Sequence, residues 1–78
     1  MRPLGKYMFV RDPTKSSTGK TSVWVIEDGY GDVLGDVAWF GRWRCYTFHP
    51  EIGTVFNAGC MRELADFCEA ETKARRKK

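Results

Sequence analysis

Apolar residues in this chain fall into short runs separated by turn formers, and only one stretch repeats with a helical period. Tyr7-Met8-Phe9-Val10 is a first short run and predicts a strand. Asp12 to Lys20 is polar and rich in turn formers, and predicts a mobile loop. Ser22 to Asp28, SVWVIED, is β-branched and aromatic and predicts a strand. Gly29-Tyr30-Gly31 then predicts a tight connection.

Val33 to Phe40 and Trp43 to His49 predict a β-hairpin. Gly41-Arg42 suits a two-residue turn with Gly first, which sets Phe40 against Trp43, Trp39 against Arg44, Val37 against Tyr46 and Gly35 against Phe48. A loop one residue longer would turn one strand's side chains to the opposite face. After Pro50, Thr54-Val55-Phe56 reads as a short extended piece. Asn57 suits a helix cap. Met61, Leu64, Ala65 and Cys68 then recur at i, i+3, i+4, i+7, with Cys60 and Phe67 on the flank, which predicts a helix from about 58 to 74.

The expected fold class is therefore α+β, a three- or four-stranded antiparallel sheet packed by one C-terminal helix. Residues 1–72 form a single domain and 73–78 a basic tail. A single helix covers one face of a sheet. The face of Val33, Val37, Trp39, Tyr46 and Phe48 is the more continuous and is expected to meet it. Gly35 would let the Phe48 ring lie over bare backbone. The other face would carry Leu34, Ala38, Phe40, Trp43, Cys45 and His49, covered either by the N-terminal segment or by another molecule, a second copy included.

Length and charge narrow the function. A chain of 78 residues buries only about 60% of its unfolded surface. Few core residues can be given up to a pocket, so a binding module is expected rather than an enzyme. The net charge of +3 is unevenly spread. Lys73, Arg75, Arg76, Lys77 and Lys78 hold the surplus, and residues 1–72 carry eight Lys and Arg against ten Asp and Glu. The tail could attract nucleic acid, or simply end a helix with cations favoured by its dipole.

Candidate chemistry is sparse. Ser17-Thr18-Gly19-Lys20-Thr21 is like the end of a phosphate-binding loop, but Thr14 stands where that pattern needs Gly, and a strand follows. Cys45 and His49 would lie about 13 Å apart on a strand, and Cys60 and Cys68 about 12 Å apart on a helix. Neither pair could share one metal ion or act as a nucleophile and its base, so no cofactor or metal is expected. Three cysteines cannot all pair within the chain, and no signal peptide or membrane-spanning run is read in it.

Three uses of the hairpin stay open. Phe40, Arg42, Trp43 and Arg44 match the composition of interface hot spots. Trp24, Trp39, Trp43, Tyr46 and Phe48 could stack nucleic-acid bases. Phe40 and Trp43 could instead complete a small core. Glu27, Asp28, Asp32 and Asp36 form an acidic cluster that serves either solubility or a basic partner.

Leu34-Gly35, Trp39, Trp43-Arg44, Tyr46, Phe48 and Pro50, followed by Thr54-Val55-Phe56 and Leu64-Ala65-Asp66-Phe67, form a pattern over about residues 33–68. It resembles a class of very small bacteriophage- and prophage-encoded proteins. That resemblance implies an accessory or host-interference protein in the cytoplasm of a bacterial host cell. It would bind a bacterial host protein or protein complex, such as a CRISPR or restriction complex; the hot-spot composition, not the resemblance, makes Phe40, Arg42, Trp43 and Arg44 the expected anchor. The alternative is a nucleic-acid-binding accessory protein using the tail and the sheet aromatics.

Overall fold

The structure is a computed structural model that describes residues 1–76. Lys77 and Lys78 of the expected tail lie outside the described residues. The fold is α+β, with one antiparallel sheet and one C-terminal helix. The strands are β1 (Arg2–Leu4), β2 (Met8–Val10), β3 (Thr14–Lys15), β4 (Ser22–Asp28), β5 (Val33–Phe40) and β6 (Cys45–Pro50), and the helix is α1 (Ala58–Arg76). The order across the sheet is β1-β2-β4-β5-β6, with β3 pairing β4 beside β2.

Six strands form where three or four were expected. The difference lies in the first twenty residues. Arg2–Leu4 turns back through Gly5, which has φ +68°, and pairs with Met8–Val10. Thr14–Lys15 pairs with Ser22–Val23, so the segment read as a mobile polar loop contains a small hairpin. These strands are two or three residues long and carry almost no periodic signal. Thr54-Val55-Phe56, by contrast, forms no strand.

The central hairpin forms, with a longer turn. Phe40 pairs with Cys45, Trp39 with Tyr46, Val37 with Phe48 and Gly35 with Pro50. The loop is Gly41 to Arg44, closed by the Trp43 and Arg44 N–H groups on the Phe40 carbonyl and ending with Arg44 at φ +54°. Each expected pair is displaced by two residues. Because side chains alternate with a period of two, that displacement leaves the paired strand residues on their expected faces, while Trp43 and Arg44, expected in the strand, move into the loop.

Val37, Trp39, Tyr46 and Phe48 accordingly lie on the face that meets α1. Val33 departs from that face. It lies beyond a register shift between Ile26 and Glu27 and is exposed. The core is Leu4, Met8, Val10, Ile26, Val37, Tyr46, Leu64 and Phe67. Ile26 and Val37 are completely buried at its centre.

The aromatic rings of this face meet edge to face. Trp24 lies 5.2 Å from Tyr46 and 5.3 Å from Phe67, and Trp39 lies 5.2 Å from Tyr46. Such pairs are favoured by the ring quadrupoles. Phe48 packs on Phe56 at 5.2 Å and lies over Gly35 as expected, although the two are diagonal neighbours and not opposite.

Asn57 caps α1. Its side-chain oxygen accepts from the Cys60 N–H at 2.8 Å. The helix seam keeps Leu64 and the half-buried Cys68 of the expected i, i+3, i+4 set and shifts toward Phe67 and Thr72. Leu64, Phe67 and Thr72 are buried, while Met61 and Ala65 are exposed. The large Phe67 ring fits between Trp24 and the Arg2 guanidinium, which stands 5.1 Å above it. That seating rotates the buried face by part of a turn. The helix also runs to Arg76, two residues past its expected end.

A Cβ at Gly35 would stand 2.8 Å from Phe48 Cζ and 2.9 Å from Pro50 Cα, and would also strike the His49 carbonyl. Two of these three obstacles are backbone and cannot swing away. Gly35→Ala is expected to destabilise the protein by about 1–3 kcal/mol, as overpacking does. The check is a lowered urea midpoint with unchanged slope; an unchanged midpoint would mean that β5 and β6 do not approach so closely.

Candidate functional site

The hairpin tip projects from one end of the sheet. Trp43 is 68% exposed, so it does not complete a core. Phe40 is half-buried and braces it edge to face at 5.0 Å. Arg42 and Arg44 flank it, both exposed. The four residues expected from sequence therefore share one loop and its base.

Trp43 also stands at the mouth of a groove of about 370 Å³, whose other lining includes Phe48, Met61, Leu64 and Ala65. The groove runs between the outer edge of β6 and the flank of α1. No sequence pattern marked it, because Met61 and Ala65 were read as core. Their helical spacing fits a flank as well as a seam.

Cations from distant parts of the chain gather at this same end. Lys15, Lys20 and Arg75 line one shared cavity. The Arg75 guanidinium lies 4.7 Å over the Trp39 ring and donates to the Lys20 carbonyl at 3.0 Å. Arg76 donates to the Arg44 carbonyl at 3.1 Å. Lys73 and Arg76 line a further cavity with Cys45 and Cys68. Lys73, Arg75 and Arg76 of the expected basic tail thus form the last turn of α1, with Arg75 and Arg76 bonded back toward the hairpin. The basic end includes body residues that charge counting along the chain assigned to an acidic body.

The other sequence candidates separate. Trp24, Trp39, Tyr46 and Phe48 turn toward α1 and spend their faces on one another, so they do not form a stacking platform with Trp43. The acidic cluster is structural in two of its members. Asp28 Oδ1 accepts from the Tyr30 and Asp32 N–H groups at 2.8 and 3.0 Å, which closes the β4–β5 turn. Glu27 is buried, and its Oε2 takes both Nε and Nη2 of Arg11 at 2.7 Å.

The register places Ala38, Phe40, Cys45 and His49 on the second sheet face as expected, without Trp43, which stands in the loop. Leu34 packs against the core cluster. Asp36, Thr47 and His49 interrupt the remainder, and the His49 Nε2 lies 2.8 Å from Thr47 Oγ1. The N-terminal segment does not fold over this face; it lengthens the sheet as β1 and β2. His49 is bonded to Thr47 and not to Cys45. Among the described residues no group of three His, Cys, Asp or Glu side chains is placed to hold a metal ion. Among them, too, no helix is long and apolar enough to cross a membrane.

The three cysteines are free thiols. Burial pushes the Cys68 thiol up to about 11, and the neighbouring Cys45 adds to the shift. The folded state therefore holds the Cys68 proton more tightly than the unfolded chain does. Stability from this group is present below the ordinary thiol range and is lost as pH rises from about 9 to about 11. Iodoacetamide at pH 8 is expected to spare Cys68 in the folded protein, with labelling rising toward pH 11. Rapid labelling of Cys68 at pH 8, read by peptide mass spectrometry, would contradict this burial.

No protein-family model, curated protein or solved structure matches the chain.

Proposed function

We propose that this chain is a non-catalytic protein-binding module, a phage-encoded accessory or host-interference protein that blocks a bacterial defence complex such as a CRISPR or restriction complex. The observation that carries the reading is Trp43, 68% exposed on a braced hairpin tip between two arginines. Exposing so large an apolar ring costs solvation, and a ring held by Phe40 loses little further freedom on binding. Arginine beside an aromatic anchor supplies planar hydrogen-bond donors for a partner's carboxylates or carbonyls.

A second reading is supported by the gathering of Lys15, Lys20, Lys73, Arg75 and Arg76 beside the tip, which suits a nucleic-acid backbone. Truncation after Thr72 cannot separate the two readings. It would remove Arg75 from the Trp39 ring and Arg76 from the Arg44 carbonyl and so disturb the hairpin itself. Charge reversal at exposed Lys15 and Lys20 leaves the helix intact.

The test is capture from a bacterial host lysate on three immobilised proteins: wild type, Trp43→Ala and Tyr30→Ala. Tyr30 is 93% exposed at the opposite end of β5 and serves as the aromatic control. The expected result is a host protein held by wild type and Tyr30→Ala and lost from Trp43→Ala, with unchanged circular dichroism. Equal capture by all three would remove the anchor. A salt-steep oligonucleotide shift abolished by Lys15→Glu with Lys20→Glu, with no protein captured, would favour the second reading.

A further inference from the structure

β6 is an edge strand, and the hydrogen bonds around it show which of its backbone groups face outward. In an antiparallel pair, alternate residues bond to the neighbouring strand and the residues between them point away. The Glu51 N–H bonds inward to the Leu34 carbonyl at 2.9 Å. The Tyr46 N–H instead leaves the sheet and bonds to Thr72 Oγ1 at 2.9 Å. Thr47, His49 and Glu51 therefore pair with β5, while Tyr46, Phe48 and Pro50 point outward.

The outward groups differ in what meets them. At Tyr46 the edge is closed by Thr72. At Pro50 there is no N–H to offer. Between them, no loop or side chain among the described residues bonds the Phe48 N–H or carbonyl. An unpaired strand edge is a template for another strand. This one opens into the groove described above, where Met61 and Ala65 of α1 stand opposite the Phe48 edge.

The lining is apolar, and charge is concentrated where the groove reaches the hairpin tip. Arg42 and Arg44 stand there, and Lys73 and Arg76 line the adjoining cavity, with Glu69 as its one carboxylate. A second copy fits poorly as occupant, because its own β6 is flanked by its own helix and both helices would need the same space. A free extended segment meets no such obstacle.

We propose that the β6 edge at Phe48 is a strand-addition site for an extended segment of the partner protein. That segment carries apolar side chains at alternate positions and Asp or Glu where it passes the Trp43 tip. It hydrogen-bonds the Phe48 N–H and carbonyl, lays alternate side chains on Met61 and Ala65, and sets its carboxylates against Arg42, Arg44 and Lys73. This inference rests on the protein-binding reading and names the chemistry of its partner.

The test pans a displayed library of short random linear peptides against the wild-type protein, with Ala65→Lys as counter-variant. Ala65 is exposed, and lysine is a good helix former, so the substitution fills the groove without unfolding the helix. Enriched peptides are expected to alternate apolar residues and end in Asp or Glu. Their affinity is expected to fall about tenfold or more in Ala65→Lys, and to weaken in Arg42→Glu with Lys73→Glu. On binding, the Phe48 amide is expected to exchange more slowly. The inference is overturned if no peptide is enriched, if enriched peptides bind Ala65→Lys equally, or if the Phe48 amide is unaffected. Host-protein capture that Trp43→Ala abolishes and Ala65→Lys leaves intact would keep the protein-binding reading and remove strand addition; capture insensitive to both removes both.

Discussion

The hydroxyl of Thr72 joins the helix to the sheet. It accepts the Tyr46 N–H at 2.9 Å and donates to the Cys68 carbonyl at 2.7 Å, so an outward-facing strand group and a helix carbonyl are satisfied together. Leaving a buried donor unpaired costs about 1–3 kcal/mol, which makes this position demanding. Tyr46 extends the same connection into the core. Its ring lies between Trp24 and Trp39, and its hydroxyl accepts the Ser22 N–H at 3.3 Å. One residue thus ties β6 to β4, to β5 and to α1.

The functional geometry follows from where that tie falls. It draws the C-terminal half of α1 against the start of β6, which brings Lys73, Arg75 and Arg76 to the hairpin tip. Toward its N-terminus the helix no longer closes the strand edge, and the apolar groove beside Phe48 opens there. At the sheet's other margin β1 and β2 supply Leu4, Met8 and Val10 to the core. A small chain with one helix thereby builds a core while leaving Trp43 outside it. Acidic residues serve a turn and an ion pair, as Asp28 and the Arg11–Glu27 pair show.

The hairpin and its buried face were legible because alternation is robust to a displacement of two, even though the turn had twice the expected length. The helix cap was legible because Asn57 acts locally. The helix seam was legible only in part, at Leu64 and Cys68. Met61, Leu64, Ala65 and Cys68 satisfy the helical period, yet Phe67 and Thr72 were selected by a ring pocket and by a strand edge, both tertiary facts. β2 was legible as a short apolar run, but β1 and β3 carry too few residues to show a period. At the candidate site, the tip residues were visible as an aromatic and arginine cluster. The basic end was not, because Lys15, Lys20 and Arg75 meet only after β3, β4 and α1 have packed.

The central claim is that Thr72 closes the β6 edge at Tyr46 and leaves it open at Phe48. Amide hydrogen exchange of the free protein under native conditions tests it most directly, since exchange reports the opening of individual N–H groups. Strong protection of the Tyr46 amide is expected, with markedly faster exchange at Phe48, two residues along the same strand. Equal, strong protection of both amides would show that the edge is closed throughout and would contradict the account.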